Sequence, residues 1–240
     1  MKMLEKIINK QKALSANPTV TIAVFGDSVT QGCFECYLDE KDDIQTIFDA
    51  ESCYGNRLKE MLNLLYPSVP FQLINAGISG DSAKGGVKRI DRDVLAYHPD
   101  LVIVGFALND STAGIAGLKE YRENLGEIIR RVKAQGAECI VLTPNAMNTG
   151  VSPFLKEKTL RKFAERFAAI QNDGVLDRYA ETAREVAREN GALLCDVHSK
   201  WKAMLAAGVN VTELMANKLN HPIRKMHYMT AMMLVDLILN

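Results

Sequence analysis

The sequence predicts an α/β fold, a flavodoxin-like three-layer α/β/α sandwich built on a five-stranded parallel sheet. Three observations predict it: short runs rich in Val, Ile and Leu, amphipathic helical runs between them, and their regular alternation along 240 residues. Strands that are apolar on both faces are typical of a sheet buried between two helix layers. Because alternating strands and helices give parallel strands with right-handed crossovers, residues that do chemistry are expected where strands end.

The expected elements follow one another along the chain. An amphipathic helical extension is expected within 1–17, before the first strand. The strands are expected at 19–26, 71–76, 101–106, 138–143 and 192–197. The helices are expected at 54–65, 86–97, 117–135 and 173–190. The long connection 144–172 is expected to form a lid or a partner surface, and the whole chain, 1–240, suits one domain.

Charge and cysteine usage exclude several classes of function. The 29 acidic residues balance the 29 basic residues, so the chain lacks the charge footprint of a nucleic-acid or anionic-membrane binder. Its start lacks a signal-peptide pattern, and no apolar run approaches the ~20 residues of a membrane span. Five scattered cysteines indicate reduced thiols, and the Cys33-x-x-Cys36 pair has no second pair to complete a zinc site. We therefore expect a cytoplasmic protein without a metal.

The first strand ends in the turn Gly26-Asp27-Ser28. A phosphate or dinucleotide site would need a glycine-rich turn of bare backbone N–H groups, whereas Asp27 would repel a phosphate. No nucleotide cofactor is therefore expected. Two interpretations of Ser28 remain: it caps the next helix, or it is a nucleophile.

A serine nucleophile needs a general base, and the chain has four histidines. His98 precedes the third strand and lies at the opposite edge of the sheet. His198 enters a helix, and His227 lies in helical sequence. His221 lies in a polar loop beside Pro222, and it is the best candidate base.

Oxyanion donors are expected at the ends of the second and third strands. Gly77 offers a backbone N–H with no Cβ in the way, and Asn109 offers a side-chain amide. Each also has a purely structural interpretation: Gly77 allows a tight turn, and Asn109 caps the next helix. Asp27 is expected to brace the turn rather than to react.

Four blocks in order carry a resemblance: FGDSVTQG, NAGISGDS, GFALND and, in part, NKLNHPIRKMH. Over about residues 20–235 the chain resembles the SGNH (GDSL-type) hydrolase family. That resemblance implies the flavodoxin-like fold, Ser28 as nucleophile and His221 as general base. It also implies an oxyanion hole made by the N–H groups of Ser28 and Gly77 and the amide of Asn109.

The chain departs from the family pattern at two positions. Val29 replaces the usual Leu, and Lys218 stands three residues before the His, where the family usually has Asp. We therefore expect a Ser-His dyad in which Asn217 or a backbone carbonyl holds the Nδ1–H of His221.

The resulting hypothesis is a serine hydrolase of a small-molecule ester, for example an acetylated carbohydrate, with no cofactor. Two alternatives stay open: an acyltransferase on the same fold, and a binding module without catalysis. The oligomeric state is also open, and a homo-oligomer is among the alternatives.

Overall fold

The computed structural model describes residues 2–240 as strands and helices in alternation. The strands are β1 (Val20–Gly26), β2 (Cys33–Leu38), β3 (Ile44–Phe48), β4 (Phe71–Gly77), β5 (Leu101–Gly105), β6 (Glu138–Leu142) and β7 (Leu193–Cys195). The helices are α1 (Lys2–Lys12), α2 (Ser28–Gln31), α3 (Tyr54–Leu65), α4 (Ala83–Asp93), α5 (Leu118–Ala134), α6 (Lys158–Asn172), α7 (Val175–Glu189), α8 (Val197–Ala206) and α9 (Arg224–Leu239).

Five strands form one parallel sheet in the order β4-β1-β5-β6-β7. The first strand in the chain is therefore flanked by the second and third strands of this sheet, so their carboxyl ends are neighbours. Gly26 pairs with Gly77 on one side and with Gly105 on the other. A Cβ on Gly26 would lie 2.3 Å from the Gly105 carbonyl oxygen, which explains why glycine ends β1.

Helices cover both faces of this sheet, because residues of β1 alternate between two apolar clusters. Ile22 and Val24 pack in a cluster with residues of α1, α3, α8 and α9. Ala23 and Phe25 pack in a second cluster with residues of α4, α5 and α7. The predicted three-layer α/β/α sandwich is confirmed.

The structure contains a hairpin that was not predicted from the sequence. β2 and β3 pair antiparallel, with a register shift between Cys33 and Cys36, and form a two-stranded sheet apart from the central one. Both strands mix apolar and polar residues, and the turn between them is acidic, so they lack the continuous apolar run that marks the buried strands. The hairpin begins directly after α2, next to the first turn of interest.

The connection 144–172 contains α6 and packs on other loops. Leu155, Leu160 and Ala164 form a small apolar cluster with Leu219, and Leu38 of the hairpin packs against it. The connection therefore lies beside the loop that carries His221. Within residues 2–240, no helix combines the length and the apolar character that crossing a membrane requires.

Candidate active site

Ser28 is the first residue of α2, directly after the end of β1. The N-cap is Asp27, whose Oδ1 accepts a hydrogen bond from the Val29 N–H at 3.0 Å. The capping interpretation of Ser28 is therefore wrong, because Asp27 has that role. Burial raises the pKa of Asp27 to about 7, and Asp27 braces the turn through this bond.

His221 lies against Ser28, 193 residues away in the chain. The imidazole Nε2 is 3.0 Å from Ser28 Oγ, and its Nδ1 is 3.0 Å from the backbone carbonyl oxygen of Phe34. Because a carbonyl can only accept a hydrogen bond, Nδ1 must carry the proton. In the neutral ring Nε2 is then the acceptor, and the Ser28 hydroxyl donates to it.

Burial keeps this imidazole neutral. Both side chains are almost inaccessible, with Ser28 5% and His221 6% exposed. Desolvation lowers the pKa of His221 to about 4, while the Phe34 carbonyl acts in the opposite direction. At neutral pH the ring is therefore ready to accept the hydroxyl proton.

Lys218 points away from this pair. Its Nζ donates to Glu213 Oε2 at 2.8 Å, and its backbone adopts a left-handed conformation with φ 60°. The position at which an aspartate was expected is therefore occupied by a cation that is neutralised by its own partner.

Asn217 does not bind the imidazole, so this alternative for the group that holds Nδ1–H is wrong. Its Oδ1 accepts the backbone N–H groups of Leu219, Asn220 and His221, each at 3.0 Å. This fan of hydrogen bonds closes the loop that carries His221. Asn217 thus holds the backbone, whereas Phe34 holds the ring.

The Gly77 N–H is already used inside the fold, since it donates to Asn75 Oδ1 at 3.0 Å. A Cβ here would lie 2.2 Å from the Gln31 nitrogen, so glycine lets β4 end closely against α2. The expectation that Gly77 supplies an oxyanion donor therefore needs correction. Three residues later, Gly80 is exposed with φ 78°, and its N–H has no hydrogen-bond partner among residues 2–240.

Asn109 lies beside the same turn. Its Nδ2 donates one hydrogen bond to the Asp81 carbonyl at 2.8 Å, which leaves the second amide hydrogen for another acceptor. Two residues earlier, buried Ala107 has φ 143°, a conformation that costs a non-glycine residue on the order of 1–3 kcal/mol. Strain of this kind is common where a backbone is bent to place a functional side chain.

A buried arginine that was not among the predicted site residues connects these strand ends. Arg89 of α4 donates to Asp81 Oδ2 at 2.6 Å and to the carbonyls of Ala76 and Gly26 at 2.7 and 3.0 Å. Its guanidinium also lies 4.5 Å from the centre of the Phe25 ring. A cation on the sheet-facing side of a predicted helix was the signal available in the sequence.

The other histidines lie elsewhere. His98 is exposed, and it precedes β5 at the opposite edge of the sheet. His198 is buried and bonds Asp177 Oδ1 at 2.8 Å. His227 is buried and accepts the Tyr54 N–H at 3.0 Å. Among the four histidines, all within residues 2–240, His221 is the one whose ring bonds Ser28.

A cavity of about 470 Å³, including its opening to solvent, lies at the carboxyl ends of β1, β5 and β6. Its walls include Val29, Leu108, Asn145 and Pro222. These residues come from the segments that carry Ser28, Asn109 and His221 and from the end of β6. Val29 and Pro222, the chain neighbours of Ser28 and His221, line the cavity, whereas Ser28 and His221 themselves do not.

Residues 24–228 match the model of the GDSL-like lipase/acylhydrolase family. The esterase TesA of Pseudomonas aeruginosa is 31% identical over 72 residues, which are 30% of this chain and 35% of that protein. An acetylxylan esterase of Geobacillus stearothermophilus is 23% identical over 150 residues, 60% of this chain and 63% of that protein. The chain thus spans about a third of one relative and under two thirds of the other.

A solved structure shares the fold. The crystal structure of the acetyl xylan esterase AlAXEase superimposes with a TM-score of 0.67 at 19% identity, covering 91% of this chain and 99% of that one.

Proposed function

This chain belongs to the GDSL-like lipase/acylhydrolase family, and on that premise we propose that it is a serine hydrolase of small acyl esters. The observation that carries the proposal is the 3.0 Å contact between Ser28 Oγ and His221 Nε2. A hydroxyl bonded to the basic nitrogen of a neutral imidazole is the arrangement that activates serine.

The first half of the reaction forms an acyl-enzyme. Ser28 Oγ attacks the carbonyl carbon of the ester, and its proton passes to His221 Nε2. The carbonyl oxygen becomes an oxyanion in a tetrahedral intermediate. When this intermediate collapses, the bond to the alcohol oxygen breaks, and His221 returns the proton to the departing alcohol.

The second half repeats these steps with water. His221 takes a proton from a water molecule as the water oxygen attacks the acyl carbon. Collapse of the second intermediate releases the carboxylic acid, and the proton returns to Ser28. Phe34 accepts the Nδ1–H bond throughout, so it fixes the tautomer as a carboxylate would, but with a partial rather than a full negative charge.

We place the oxyanion between three donors: the N–H groups of Ser28 and Gly80 and the second amide hydrogen of Asn109. Both N–H groups lack partners among the residues described here. The Asn109 bond to Asp81 keeps Asn109 beside the turn that carries Gly80. Donors with no other partner cost nothing to redirect toward the developing charge.

Asn109→Ala will lower kcat about 10²- to 10³-fold with little change in KM, because it removes a donor needed mainly in the transition state. Steady-state kinetics with p-nitrophenyl acetate measure both constants. Asn124→Ala is a suitable control, because the Asn124 amide caps only the Glu120 carbonyl on the exposed face of α5. If folded Asn109→Ala has a kcat within threefold of wild type, Asn109 is not an oxyanion donor.

The substrate class that we propose is an acetyl ester of a carbohydrate. Two similar proteins carry the name acetylxylan esterase, and the balanced charge of this chain suits a neutral substrate.

Hydrolysis of acetylated xylo-oligosaccharides and of p-nitrophenyl acetate, butyrate and octanoate tests this proposal. We expect acetate to be released from both acetyl substrates, and octanoate to be the slowest ester. A new ester formed at the expense of free acetate, when an alcohol is added, would identify a transferase instead. Binding of the oligosaccharide without turnover would identify a binding module.

A further inference from the structure

The strand that carries Phe34 is held by a cluster of charges, here called the Arg224 clamp (Arg224, Glu35 and Asp49). Arg224 Nη1 and Nη2 donate to the two carboxylate oxygens of Glu35 at 2.6 and 3.1 Å. Arg224 Nε donates to Asp49 Oδ2 at 2.7 Å. Paired, two-pronged bonds between guanidinium and carboxylate are among the strongest and most directional in proteins.

Arg224 of the clamp also packs against the side chain of Phe34. The guanidinium carbon of Arg224 lies 4.3 Å from the centre of the Phe34 ring, within the range of a cation–π contact. On another side, the Phe34 ring lies 5.0 Å from the ring of His227. Phe34 is fully buried, so both its side chain and its neighbour Glu35 are fixed.

The hairpin needs such a tether, because it does not belong to the central sheet. A two-stranded hairpin alone is marginally stable, and the pairing of this one is interrupted between Cys33 and Cys36. Arg224, the first residue of α9, binds both strands of the hairpin. It binds β2 through Glu35, and it binds the end of β3 through Asp49, the residue that follows that strand. A shift of the hairpin would carry the Phe34 carbonyl away from His221.

Base and clamp lie on one short segment. His221 and Arg224 are separated by two residues, one of them Pro222, whose ring restricts the backbone. Arg224 therefore fixes the distance between residues 221–224 and the hairpin close to the imidazole of His221.

From this geometry we propose that Arg224 is a positioning residue for His221: the clamp holds the Phe34 carbonyl against Nδ1 and so replaces the missing aspartate indirectly. The family usually places an aspartate beside the imidazole. Here the charged groups do not contact the imidazole but hold the strand whose neutral acceptor, the Phe34 carbonyl, does. This inference rests on the proposed function of Ser28 and His221.

Arg224→Met in the full chain will lower kcat on p-nitrophenyl acetate about 10- to 100-fold, the range known for loss of an outer-shell group that orients a metal-binding side chain. KM should stay within about twofold, because the clamp contacts neither Ser28 nor the proposed oxyanion donors. Arg224→Lys keeps the positive charge but loses the two-pronged bond to Glu35, so its kcat should lie between those of Arg224→Met and the wild type. Glu35→Gln tests the same contact by a milder change if Arg224→Met does not fold.

Proton NMR supplies a readout that a merely structural role would not move. The Nδ1–H of His221 should give a low-field resonance in the wild type that is lost in His221→Ala. In Arg224→Met it should broaden or disappear, while melting shows a folded protein.

Arg57→Met is the matched control. Arg57 lies 4.5 Å above the ring of Tyr228 on α9 and pairs with Glu60 at 3.0 Å, so it resembles Arg224 in kind but does not touch the hairpin strand of Phe34. We expect wild-type kcat and an unchanged Nδ1–H resonance.

Different results would overturn the role of Arg224 and the proposed function. Wild-type kcat and an intact resonance in Arg224→Met, with an active wild type and an inactive Ser28→Ala, would overturn the clamp alone. Equal losses of kcat and melting temperature in Arg224→Met and Arg57→Met would also overturn it. A wild type that hydrolyses no ester would overturn the proposed function.

Discussion

Ser28→Ala is expected to lower kcat/KM for acetyl esters on the order of 10⁴- to 10⁶-fold, leaving the rate supplied by binding and the oxyanion hole. The loss is large because the variant cannot form an acyl-enzyme. Folding should be nearly unaffected, because Asp27 rather than Ser28 caps α2. Hydrolysis rates and thermal melting measure the two effects separately.

Ser199→Ala is the matched control for this variant. Ser199 also lies in the first turn of a helix that follows a strand of the central sheet and is capped by an aspartate, Asp196. Its hydroxyl bonds only the Asp196 carbonyl, so activity should not change. More than a tenth of wild-type activity in Ser28→Ala would show that Ser28 is not the nucleophile.

His221→Ala is expected to lower kcat on the order of 10⁴-fold or more, and Ser28→Ala/His221→Ala should be no slower than Ser28→Ala alone. The two residues act as one unit, because the hydroxyl is a poor nucleophile without a base. For the wild type, kcat/KM should fall as the pH drops through about 4, the pKa to which burial lowers His221. Above that range the imidazole is neutral, so His221 contributes no further change in rate.

His98→Ala is the control for this variant, because His98 is exposed at the opposite edge of the sheet, and it should leave the rate unchanged. An acidic limb near pH 7 that persists in Asp27→Asn, which removes the carboxyl whose pKa burial raises to about 7, would contradict the buried, uncharged environment of His221. Wild-type activity in His221→Ala would exclude His221 as the base.

The sheet and the pair Ser28–His221 were accessible to sequence reasoning, because each leaves a local signal. An apolar run that stops at Gly26 marks a strand end, and a parallel sheet brings such ends together. His221 stood out from the other three histidines by its polar loop and Pro222. Spatial contact between residues 28 and 221 then follows from topology.

The group that holds His221 was not accessible, because it is a backbone atom. Every residue has a carbonyl, so nothing in the sequence marks that of Phe34, and the hairpin that carries it lacks a clear strand pattern. Asn217 lies close to His221 in the sequence, but its side-chain oxygen accepts backbone N–H groups of the loop instead.

The oxyanion donors show the same limit. Gly77 ends β4 and Gly80 follows three residues later, and sequence does not reveal which N–H is already bonded. The side chain of Asn75 decides this by accepting the Gly77 N–H. Arg224 was not predicted for a related reason, since Glu35 and Asp49 are distant from it in the chain.

Covalent labelling with a fluorophosphonate, followed by peptide mass spectrometry, tests most directly whether Ser28 is a nucleophile activated by His221. One adduct per chain is expected, on Ser28, with labelling slowed strongly in His221→Ala and less in Arg224→Met. No adduct on the folded wild type, or an adduct on a residue other than Ser28, would contradict the mechanism.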